Sequence, residues 1–424
     1  MAKIKPFRGV FYNSQKIPEL WRVVCPPYDV INARQQEFYH SLSPYNIIQL
    51  ILGKDIPQQD KYLKAKEYFH KWLQDKILIQ DDSYSIYFYL QEYKIKGEKR
   101  SRFGFIALLN LAESNSIFSH EHTRIEPKED RLRLLEAVKA NLSPIFVLFR
   151  DKLRIIMRIY EEYLKDKKPF MELTDTEGIY HKLWRIDEPY YLNLFQEALK
   201  DREIFIADGH HRYEVALNYR QRMREKEKLD SKEEKSFDYI MAYFTPIESR
   251  GLLILPIHRL IRGTDISLET LKEKVEKYFS LEEIKDKNQF FFFLEKAGLS
   301  QPTLGLYINQ HYFILRLKNI AILDKIMQDK PRAYRRLDAA ILNSFILEDA
   351  LNIDTQDKKK VVFGVEPDEL IMQADKEENS FVFFLNPVKI EDMLNIACEG
   401  HRLPPKSTYF YPKVLSGLII NKHE

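Results

Sequence analysis

The residue types best suited to chemistry stand together at residues 208–212, which read Asp-Gly-His-His-Arg. An apolar run at 204–207 ends directly before them, and apolar residues at helical spacing follow at 213–219. This pattern predicts a buried strand, a tight turn and a helix. Asp208 is predicted to be the helix N-cap, because its carboxylate can accept from free N–H groups of the first turn. Gly209 permits a positive φ or a close approach of the backbone.

The chemistry that this box favours is the binding of an oxyanion. The first turn of a helix attracts negative charge through its unpaired N–H groups and its dipole. His210, His211 and Arg212 add donors there, and an arginine can hold a phosphate through two parallel hydrogen bonds. A basic helix start with a solvated arginine is the plainer alternative. The concentration of polar residue types directly after a buried strand favours the oxyanion site.

A second polar cluster, His120-Glu121-His122, leads into Thr123. On a strand the two histidines would share one face while Glu121 points to the other. The spacing also lacks the His-x-x-x-His pattern of a helical zinc site. The cluster therefore favours a loop with a general base, or a carboxylate for Mg²⁺, over a transition-metal site. Histidines that only lie on the surface or in the core remain the alternative.

The third candidate is the tail at 401–413, which holds three prolines, two lysines and a Ser-Thr pair. Lys406 and Ser407 can donate to phosphate oxygens, and Lys413 is a further donor. The prolines lower the entropy cost of one fixed shape, which suits the wall of a binding site. We predict that 406–413 packs against the turn at 210–212. A tail that only buries its aromatic side chains is an equally weighted alternative.

The apolar patterns show the elements that must position these residues. Alternating, aromatic-rich runs at 84–93 and 102–111, separated by Lys-Gly-Glu-Lys, predict a β-hairpin. Apolar runs at 145–149, 239–244 and 252–256 predict buried strands. Apolar positions at helical spacing predict helices at 58–76, 153–165, 190–199, 267–280, 319–328, 338–350 and 389–399.

Composition and charge exclude several classes of protein. With 66 basic and 63 acidic residues among 424, the net charge of +3 does not favour a dedicated nucleic-acid binder. The two cysteines, Cys25 and Cys398, cannot form a metal cluster between them and fit a reducing cytosol. Neither a signal peptide nor a membrane-spanning apolar run is evident. We expect a soluble cytoplasmic protein of two or more domains.

Three common catalytic signatures do not occur in the sequence. There is no Gly-x-x-x-x-Gly-Lys-Ser/Thr, so an ordinary P-loop enzyme is not predicted. No Gly-x-Gly-x-x-Gly follows a predicted strand, which argues against a Rossmann cofactor site. A Gly-x-Ser-x-Gly nucleophile elbow is also missing.

Five boxes, in this order along the chain, resemble one family, the long-uncharacterised bacterial and archaeal "domain of unknown function" DUF1015. They are Ile-Lys-Pro-Phe-Arg at 4–8, Cys-Pro-Pro-Tyr-Asp-Val at 25–30, His-Glu-His-Thr at 120–123, Asp-Gly-His-His-Arg-Tyr-Glu at 208–214 and Lys-Ser-Thr-Tyr-Phe-Tyr-Pro-Lys at 406–413. The resemblance runs essentially end to end, and the joint presence of the boxes is specific.

The central box is also similar to the phosphate-binding box of the ParB/sulfiredoxin superfamily. There a Gly-x-(His/Arg)-Arg turn opens a helix and holds the phosphates of a nucleotide. His210 stands where sulfiredoxin carries its reactive cysteine, which argues against sulfiredoxin chemistry. In the free-serine kinases of that superfamily, an Asp-Gly-His-type box serves phosphoryl transfer to the hydroxyl of L-serine.

The resemblance implies a mixed α/β (α+β) protein with a ParB/sulfiredoxin-like core. That core would join the N-terminal strand to the strand-turn-helix at 204–220. Residues 1–265 would form a phosphoryl-transfer domain with a large insertion at about 60–195. Residues 266–424 would form a second, C-terminal α/β domain whose tail returns to the site.

The activity that the resemblance implies is a small-molecule kinase. It would phosphorylate L-serine, or a similar small hydroxyl metabolite, with Mg²⁺ and with ADP, ATP or pyrophosphate as donor. Glu121 is the first choice for the catalytic base, His210 would act on the donor, and Asp208 would hold the metal or orient His210. The residues assigned to the phosphates are Gly209, His210, His211, Arg212, Lys406, Ser407 and Lys413. The residues assigned to the substrate are Tyr28, Asp29, His120, His122 and Thr123.

Two alternatives from other classes stay open at this point, and one of them is an enzyme-like scaffold without catalysis. The other, a nucleotide-binding, DNA-associated regulatory module of the ParB type, would have no kinase activity. It would need a basic DNA-binding helix, and the sequence shows no clear one. The sequence predicts a small-molecule partner and no membrane partner, and it leaves open the donor, the acceptor and whether the chain forms a homodimer.

Overall fold

The structure is a computed structural model, and it describes residues 3–111, 116–121, 125–230, 233–264 and 266–424. These residues fold into two compact units. Unit 1 contains the described residues up to Ser119, those from 125 to Leu252, and Pro412–Glu424. Unit 2 contains Leu253–Tyr411 together with His120 and Glu121. The domain limits predicted from the sequence, including the insertion at about 60–195, stay predictions.

The strands and helices alternate along both units. In chain order the strands are β1 (Ile4–Lys5), β2 (Val10–Tyr12), β3 (Leu78–Gln80), β4 (Ile86–Ile95), β5 (Glu98–Asn110), β6 (Ile117–Phe118), β7 (Ala140–Asn141), β8 (Ile145–Phe149), β9 (Met171–Thr174), β10 (Tyr180–Ile186), β11 (Ile204–Asp208), β12 (Tyr239–Pro246), β13 (Leu253–Leu255), β14 (His258–Ile261), β15 (Phe279–Ile284), β16 (Thr303–Ile308), β17 (His311–Leu317), β18 (Val361–Gly364), β19 (Phe381–Phe384), β20 (Tyr409–Tyr411) and β21 (Asn421–Lys422).

The α-helices are α1 (Ala33–Leu42), α2 (Ile48–Ile51), α3 (Lys61–Gln74), α4 (Ile125–Val138), α5 (Ile155–Ile159), α6 (Pro189–Leu199), α7 (His210–Glu227), α8 (Leu268–Glu276), α9 (Lys287–Gly298), α10 (Ile322–Ile326), α11 (Arg332–Arg335), α12 (Asp338–Ile341), α13 (Pro367–Lys376) and α14 (Ile390–Cys398). Short 3-10 turns lie at Leu20–Arg22, Tyr28–Val30 and Ser236–Asp238, and π-helical turns lie at Tyr160–Leu164 and Leu342–Ala350.

The central feature of unit 1 is a mixed sheet. Among the described residues it has nine strands, in the order β6-β11-β8-β12-β5-β4-β10-β9, with β1 paired to β5. Strand β12 runs parallel to β8, and β11 runs parallel to β6. Every residue of β12 is buried, as expected for a strand inside a sheet covered on both faces. The prediction of a mixed α/β protein is confirmed.

The predicted hairpin is formed by β4 and β5. Its loop is only Lys96 and Gly97, because Ile95 pairs directly with Glu98. Both loop residues have a positive φ, 48° and 80°, which is the backbone of the two-residue turn that matches strand twist. The same register places Gln91 opposite Arg102 inside the sheet.

Helix α7 lies between the main core of unit 1 and helix α4. Tyr213 and Ala216 pack into the core beneath the sheet. Val215 and Tyr219, on the other side of the helix, pack with Leu135 of α4. Because both sides of α7 are buried in this way, the first turn of the helix is held in one position.

Unit 2 has its own sheet and its own core. Among the described residues the sheet has six antiparallel strands in the order β15-β17-β16-β19-β14-β18. Phe290 and Leu294 of α9, and Leu370 of α13, pack with Phe384 in the core. A short strand of the tail, β20, pairs with β13 of the same unit.

Two predicted helices differ from the sequence expectation in the same way. The helix predicted at 153–165 begins as α5 and continues as the π-helical turn Tyr160–Leu164. The helix predicted at 338–350 begins as α12 and continues as a π-helix from Leu342. Apolar spacing cannot separate an α-helix from a π-helix over so few turns. In the described part of the chain, no helix has both the length and the apolar character needed to span a bilayer.

Candidate functional site

The turn at 208–212 has the predicted strand-turn-helix form. Strand β11 is buried up to Ala207, and the chain turns at Gly209 with φ 87° and ψ 28°. Helix α7 begins at His210, whose side chain is 3% exposed. The pairing of β11 with β8 shifts register between Ile206 and Asp208, so the strand bends where the polar residues begin.

The prediction that Asp208 is the N-cap is wrong. Gly209 is the N-cap residue, and the first turn of α7 has no side-chain cap. The Asp208 carboxylate instead accepts from two cations, Arg212 and Lys413. The dipole of α7 favours negative charge at this first turn.

Gly209 cannot be replaced without disturbing this turn. A Cβ at this position would lie 2.9 Å from Arg212 Nη2 and 3.0 Å from Ile145 Cγ2, and the φ of +87° is strained for any other residue. We expect Gly209→Ala to lower the free energy of unfolding by about 1–3 kcal/mol, measured by urea denaturation. Gly178→Ala is the matched control, because Gly178 has φ +78° and open space around it. Equal losses in the two variants would show that contact with Arg212 is unimportant.

Two cations meet the Asp208 carboxylate. Lys413 Nζ donates to Oδ1 at 2.9 Å, and Arg212 Nη2 donates to Oδ2 at 3.1 Å. Arg212 Nη1 also donates to the carbonyl of Pro144. The side chains of Asp208, Arg212 and Lys413 are 15%, 12% and 11% exposed, so the cluster is largely buried. Together the three carry a net positive charge, which favours a nearby anion.

The charges around Asp208 keep its carboxylate ionised. Burial acts to raise its pKa, but the positive charges of Lys413 and Arg212 outweigh burial, and the pKa of Asp208 lies below its usual value. At neutral pH the carboxylate therefore fixes both cationic side chains in place. Such fixed charges stabilise a charged ligand or transition state without reorganising when it forms.

The tail that brings Lys413 to Asp208 is held by polar groups inside the sheet. Arg102 Nη2 donates to the carbonyl of Pro412 at 2.6 Å, and Gln91 Nε2 donates to the carbonyl of Lys413 at 3.0 Å. Arg102 and Gln91 are fully buried and hydrogen-bonded to each other. The backbone of the tail is thus fixed independently of the Lys413 side chain.

A small cleft opens beside Arg212 in unit 1. Its volume is about 70 Å³, and the polar residues that line it are Tyr28, Arg131, Asn141, Ser143 and Arg212. The Arg131 guanidinium lies 4.0 Å from the centre of the Tyr28 ring. Burial raises the pKa of Tyr28 to about 12, so its hydroxyl is a hydrogen-bond donor at neutral pH. The Arg131 guanidinium donates to Asp130 and to the carbonyl of Ile51. The cleft is therefore lined by two guanidinium groups that are already hydrogen-bonded and by the Tyr28 hydroxyl.

Two further predicted residues of unit 1 differ in exposure. Asp29 follows Tyr28 in a 3-10 turn and is exposed. His211 is half-buried on the first turn of α7. Further along the same helix, Glu214 forms an ion pair with Lys128 of α4. The binding roles predicted for Asp29, His210 and His211 stay predictions.

The other two predicted boxes meet in unit 2. His120 is 1% exposed, and its Nε2 lies 3.2 Å from the hydroxyl oxygen of Thr408. The carbonyl of His120 accepts from the N–H of Leu403 at 2.8 Å. Glu121, the predicted base, is half-buried in this unit. His122 and Thr123 lie outside the described residues.

Lys406 and Ser407 also belong to unit 2. The Ser407 hydroxyl donates to the carbonyl of Pro404 at 2.6 Å, and the Lys406 carbonyl accepts from Arg259 at 3.0 Å. The phosphate contacts predicted for Lys406 and Ser407, and the role of Glu121 as base, stay predictions.

The geometry does not support Asp208 as a magnesium ligand. Each of its oxygens already accepts from a cation, and those positive charges oppose the approach of a divalent ion. Among the residues that the structure describes, no three His, Cys, Asp or Glu side chains cluster as a metal site would require.

Sequence reasoning missed Arg131, Arg102 and Gln91. Arg131 follows Asp130 in a charged stretch, and nothing in the sequence distinguishes it from neighbouring charged residues that are solvated. Arg102 and Gln91 had a usable signal. Once the hairpin loop is placed at Lys96 and Gly97, the two polar residues fall opposite each other in apolar strands. A buried cross-strand polar pair of that kind needs a further partner, which is the tail.

The family described as "Protein of unknown function (DUF1015)" matches residues 4–340, most of the chain. The chain belongs to this family. No curated protein matches it in sequence.

Several solved structures are similar to the structure of this chain. A mutant of free serine kinase in complex with AMP is 13% identical, with 75% of this chain and 91% of that chain covered and a TM-score of 0.36. A conserved hypothetical protein from Pyrococcus furiosus is 14% identical, with 74% and 95% covered and a TM-score of 0.35. SbnI with a C-terminal truncation, from Staphylococcus aureus, is 12% identical, with 73% and 85% covered and a TM-score of 0.34.

Proposed function

We propose that this DUF1015 protein is a small-molecule kinase. It transfers a phosphoryl group from ADP, ATP or pyrophosphate to the hydroxyl of free L-serine or of a similar small metabolite. The observation that carries the proposal is the cluster in which Arg212 and Lys413 are both fixed on Asp208, beside an uncapped helix start. The similarity of the sequence box to that of free-serine kinases supports the choice of acceptor.

Phosphoryl transfer suits this cluster because the reaction asks little covalent chemistry of the protein. Charge spreads over the transferring oxygens, and catalysis comes mostly from positioning and electrostatic stabilisation. In the proposed mechanism the N–H groups at the start of α7 bind the donor phosphates, and Arg212 binds one of them. The acceptor oxygen attacks the transferring phosphorus and releases its proton to solvent, while the bond from phosphorus to the leaving oxygen breaks. Lys413 offsets the negative charge that develops on that leaving oxygen.

The neighbouring cleft is the proposed place for the small acceptor. Tyr28 and Arg131 line it together with Arg212, and its volume of about 70 Å³ suits a few heavy atoms. In this arrangement Arg131 and the Tyr28 hydroxyl hold polar groups of the acceptor. Magnesium, carried in with the donor phosphates, would add charge neutralisation there.

Donor binding tests the role of Arg212. We expect Arg212→Ala to weaken binding of ADP or pyrophosphate about 10- to 100-fold, because a charged hydrogen bond to phosphate is lost. Isothermal titration calorimetry measures the affinity, and circular dichroism checks the fold. Arg222→Ala is the matched control, since Arg222 lies on the same helix, is exposed and pairs with Glu136 at 3.3 Å. Unchanged donor affinity in Arg212→Ala would remove the proposed phosphate site.

A further inference from the structure

Unit 2 contains a cavity that the proposed kinase chemistry does not use. Its volume is about 460 Å³, which lies within the usual range of small-molecule sites, about 300–1,000 Å³. Helix α11, the start of α12, helix α14 and the loop before α14 form its walls. The charged groups on those walls indicate what the cavity can bind.

One wall is positive. Arg332 and Arg336 stand four residues apart and line the cavity together, as expected for neighbours on one helical face. In the part of the chain that the structure describes, neither guanidinium has an ion pair or a hydrogen bond. Arg335 is different, because its Nη1 lies 2.8 Å from Asp324 and it does not line the cavity. Lys389 adds a third cation to the cavity wall.

Another wall is negative. Asp392 lies on α14, Glu399 directly follows the helix as its C-cap residue, and both line the cavity. Within the described residues, neither carboxylate forms an ion pair. Helices α11 and α14 pack against each other, yet no Arg–carboxylate pair within 4 Å connects these cavity residues. Opposite charges that face one cavity without pairing are available to a ligand.

Two residues that line the cavity, Asp338 and Asn386, are hydrogen-bonded to each other. The Asp338 carboxylate accepts from the Asn386 N–H at 2.9 Å and from Asn386 Nδ2 at 3.0 Å. Asn386 Nδ2 also donates to the carbonyl of Thr303 at 2.9 Å. These bonds connect three segments of unit 2 and fix Asp338 and Asn386 relative to each other.

We infer that this cavity binds a zwitterionic small molecule, a free amino acid or a close analogue. The carboxylate of the ligand binds Arg332 and Arg336, and its ammonium group binds one of the two carboxylates, Asp392 or Glu399. A simple dianion would be repelled by the two carboxylates, and a polyamine would be repelled by the two guanidinium groups. A ligand that carries both charges satisfies both walls. The inference does not depend on the proposed kinase activity.

Calorimetric titration of the full chain with the protein amino acids tests the inference. We expect at least one amino acid to bind, and its decarboxylated amine to bind at least about 10-fold more weakly, because the arginine contacts are lost. The double variant Arg332→Ala/Arg336→Ala should weaken the same amino acid to a similar extent. The matched control is Arg335→Ala, which should bind it as the parent does. Both cavity arginines are exposed, so the fold should survive, and urea denaturation checks it.

The outcomes separate this site from the proposed kinase site. Binding of L-serine that is lost in Arg212→Ala and kept in the double variant belongs to unit 1 and overturns the inference for serine. Binding of inorganic phosphate that is lost in Arg332→Ala/Arg336→Ala and kept in Arg212→Ala, with no binding of any amino acid, would make the cavity an anion site and also overturn the inference. Amino-acid binding that needs Arg332 and Arg336 supports it, whether or not any phosphoryl transfer is found.

Discussion

Replacing Asp208 with alanine is expected to lower the free energy of unfolding by about 3–5 kcal/mol, because two largely buried cations lose their shared counter-charge. Arg212 and Lys413 would then lie 12% and 11% exposed beside each other with like charges. Replacing Arg212 or Lys413 alone should lower the free energy of unfolding by less, because the Asp208 carboxylate keeps its other cationic partner. Urea denaturation of Asp208→Ala, Arg212→Met and Lys413→Met gives the order of the losses.

The pH dependence of stability provides a second readout for Asp208. Its pKa in the folded protein lies below the ordinary 3.8, so the carboxylate contributes stability that is complete above about pH 3.8. That stability is lost as the pH falls through the lower, folded-state pKa. The free energy of unfolding should fall less steeply with decreasing pH in Asp208→Ala than in the parent. Asp187→Ala, an exposed control, should change neither the free energy of unfolding nor its dependence on pH. A loss below about 1 kcal/mol in Asp208→Ala would contradict the buried-cluster interpretation.

Replacing Lys413 with methionine is expected to lower phosphoryl-transfer turnover about 100- to 1,000-fold while the chain stays folded. The size follows from removing one fixed charge aimed at a developing oxyanion. Methionine keeps the length of the apolar stem. Arg102 and Gln91 bind carbonyl groups of the tail, so its backbone keeps its position without the ammonium group. Turnover and KM are measured together, and the fall should lie mainly in kcat.

The control for this prediction is Lys422→Met, on strand β21, which follows the tail in the sequence. It should leave turnover unchanged, because a half-buried lysine outside the cluster carries no charge toward the ligand. A fall of less than about 5-fold in Lys413→Met would contradict a transition-state role for Lys413. A fall in both variants would instead point to general loss of the tail.

Local sequence patterns predicted much of the fold that carries the site. The hairpin of β4 and β5 followed from two alternating runs separated by Lys-Gly-Glu-Lys, and the turn at 208–212 followed from an apolar run that ends at Ala207. These features depend on neighbours in sequence, which is why pattern and structure agree. The π-helical turns at Tyr160–Leu164 and Leu342–Ala350 depend on packing and were not predictable.

The electrostatics of the site could not be read from local sequence in the same way. Asp208 has the residue type of an N-cap, but Lys413, 205 residues further along the chain, takes one carboxylate oxygen. Charge attraction from a distant segment outweighs the roughly 1 kcal/mol that an N-cap contributes. Arg131 reaches the cleft through the packing of α4, which no spacing in its charged segment indicates.

The central claim is tested most directly by product formation. Intact protein is incubated with L-serine, magnesium and, in separate reactions, ADP, ATP or pyrophosphate, and phosphoserine is measured by ³¹P NMR and mass spectrometry. We predict that phosphoserine, or the phosphate ester of another small hydroxyl metabolite in a parallel panel, forms with at least one donor. We also predict that Lys413→Met forms much less of this product. Folded protein that binds no donor and forms no phosphate ester with any of them would contradict the account.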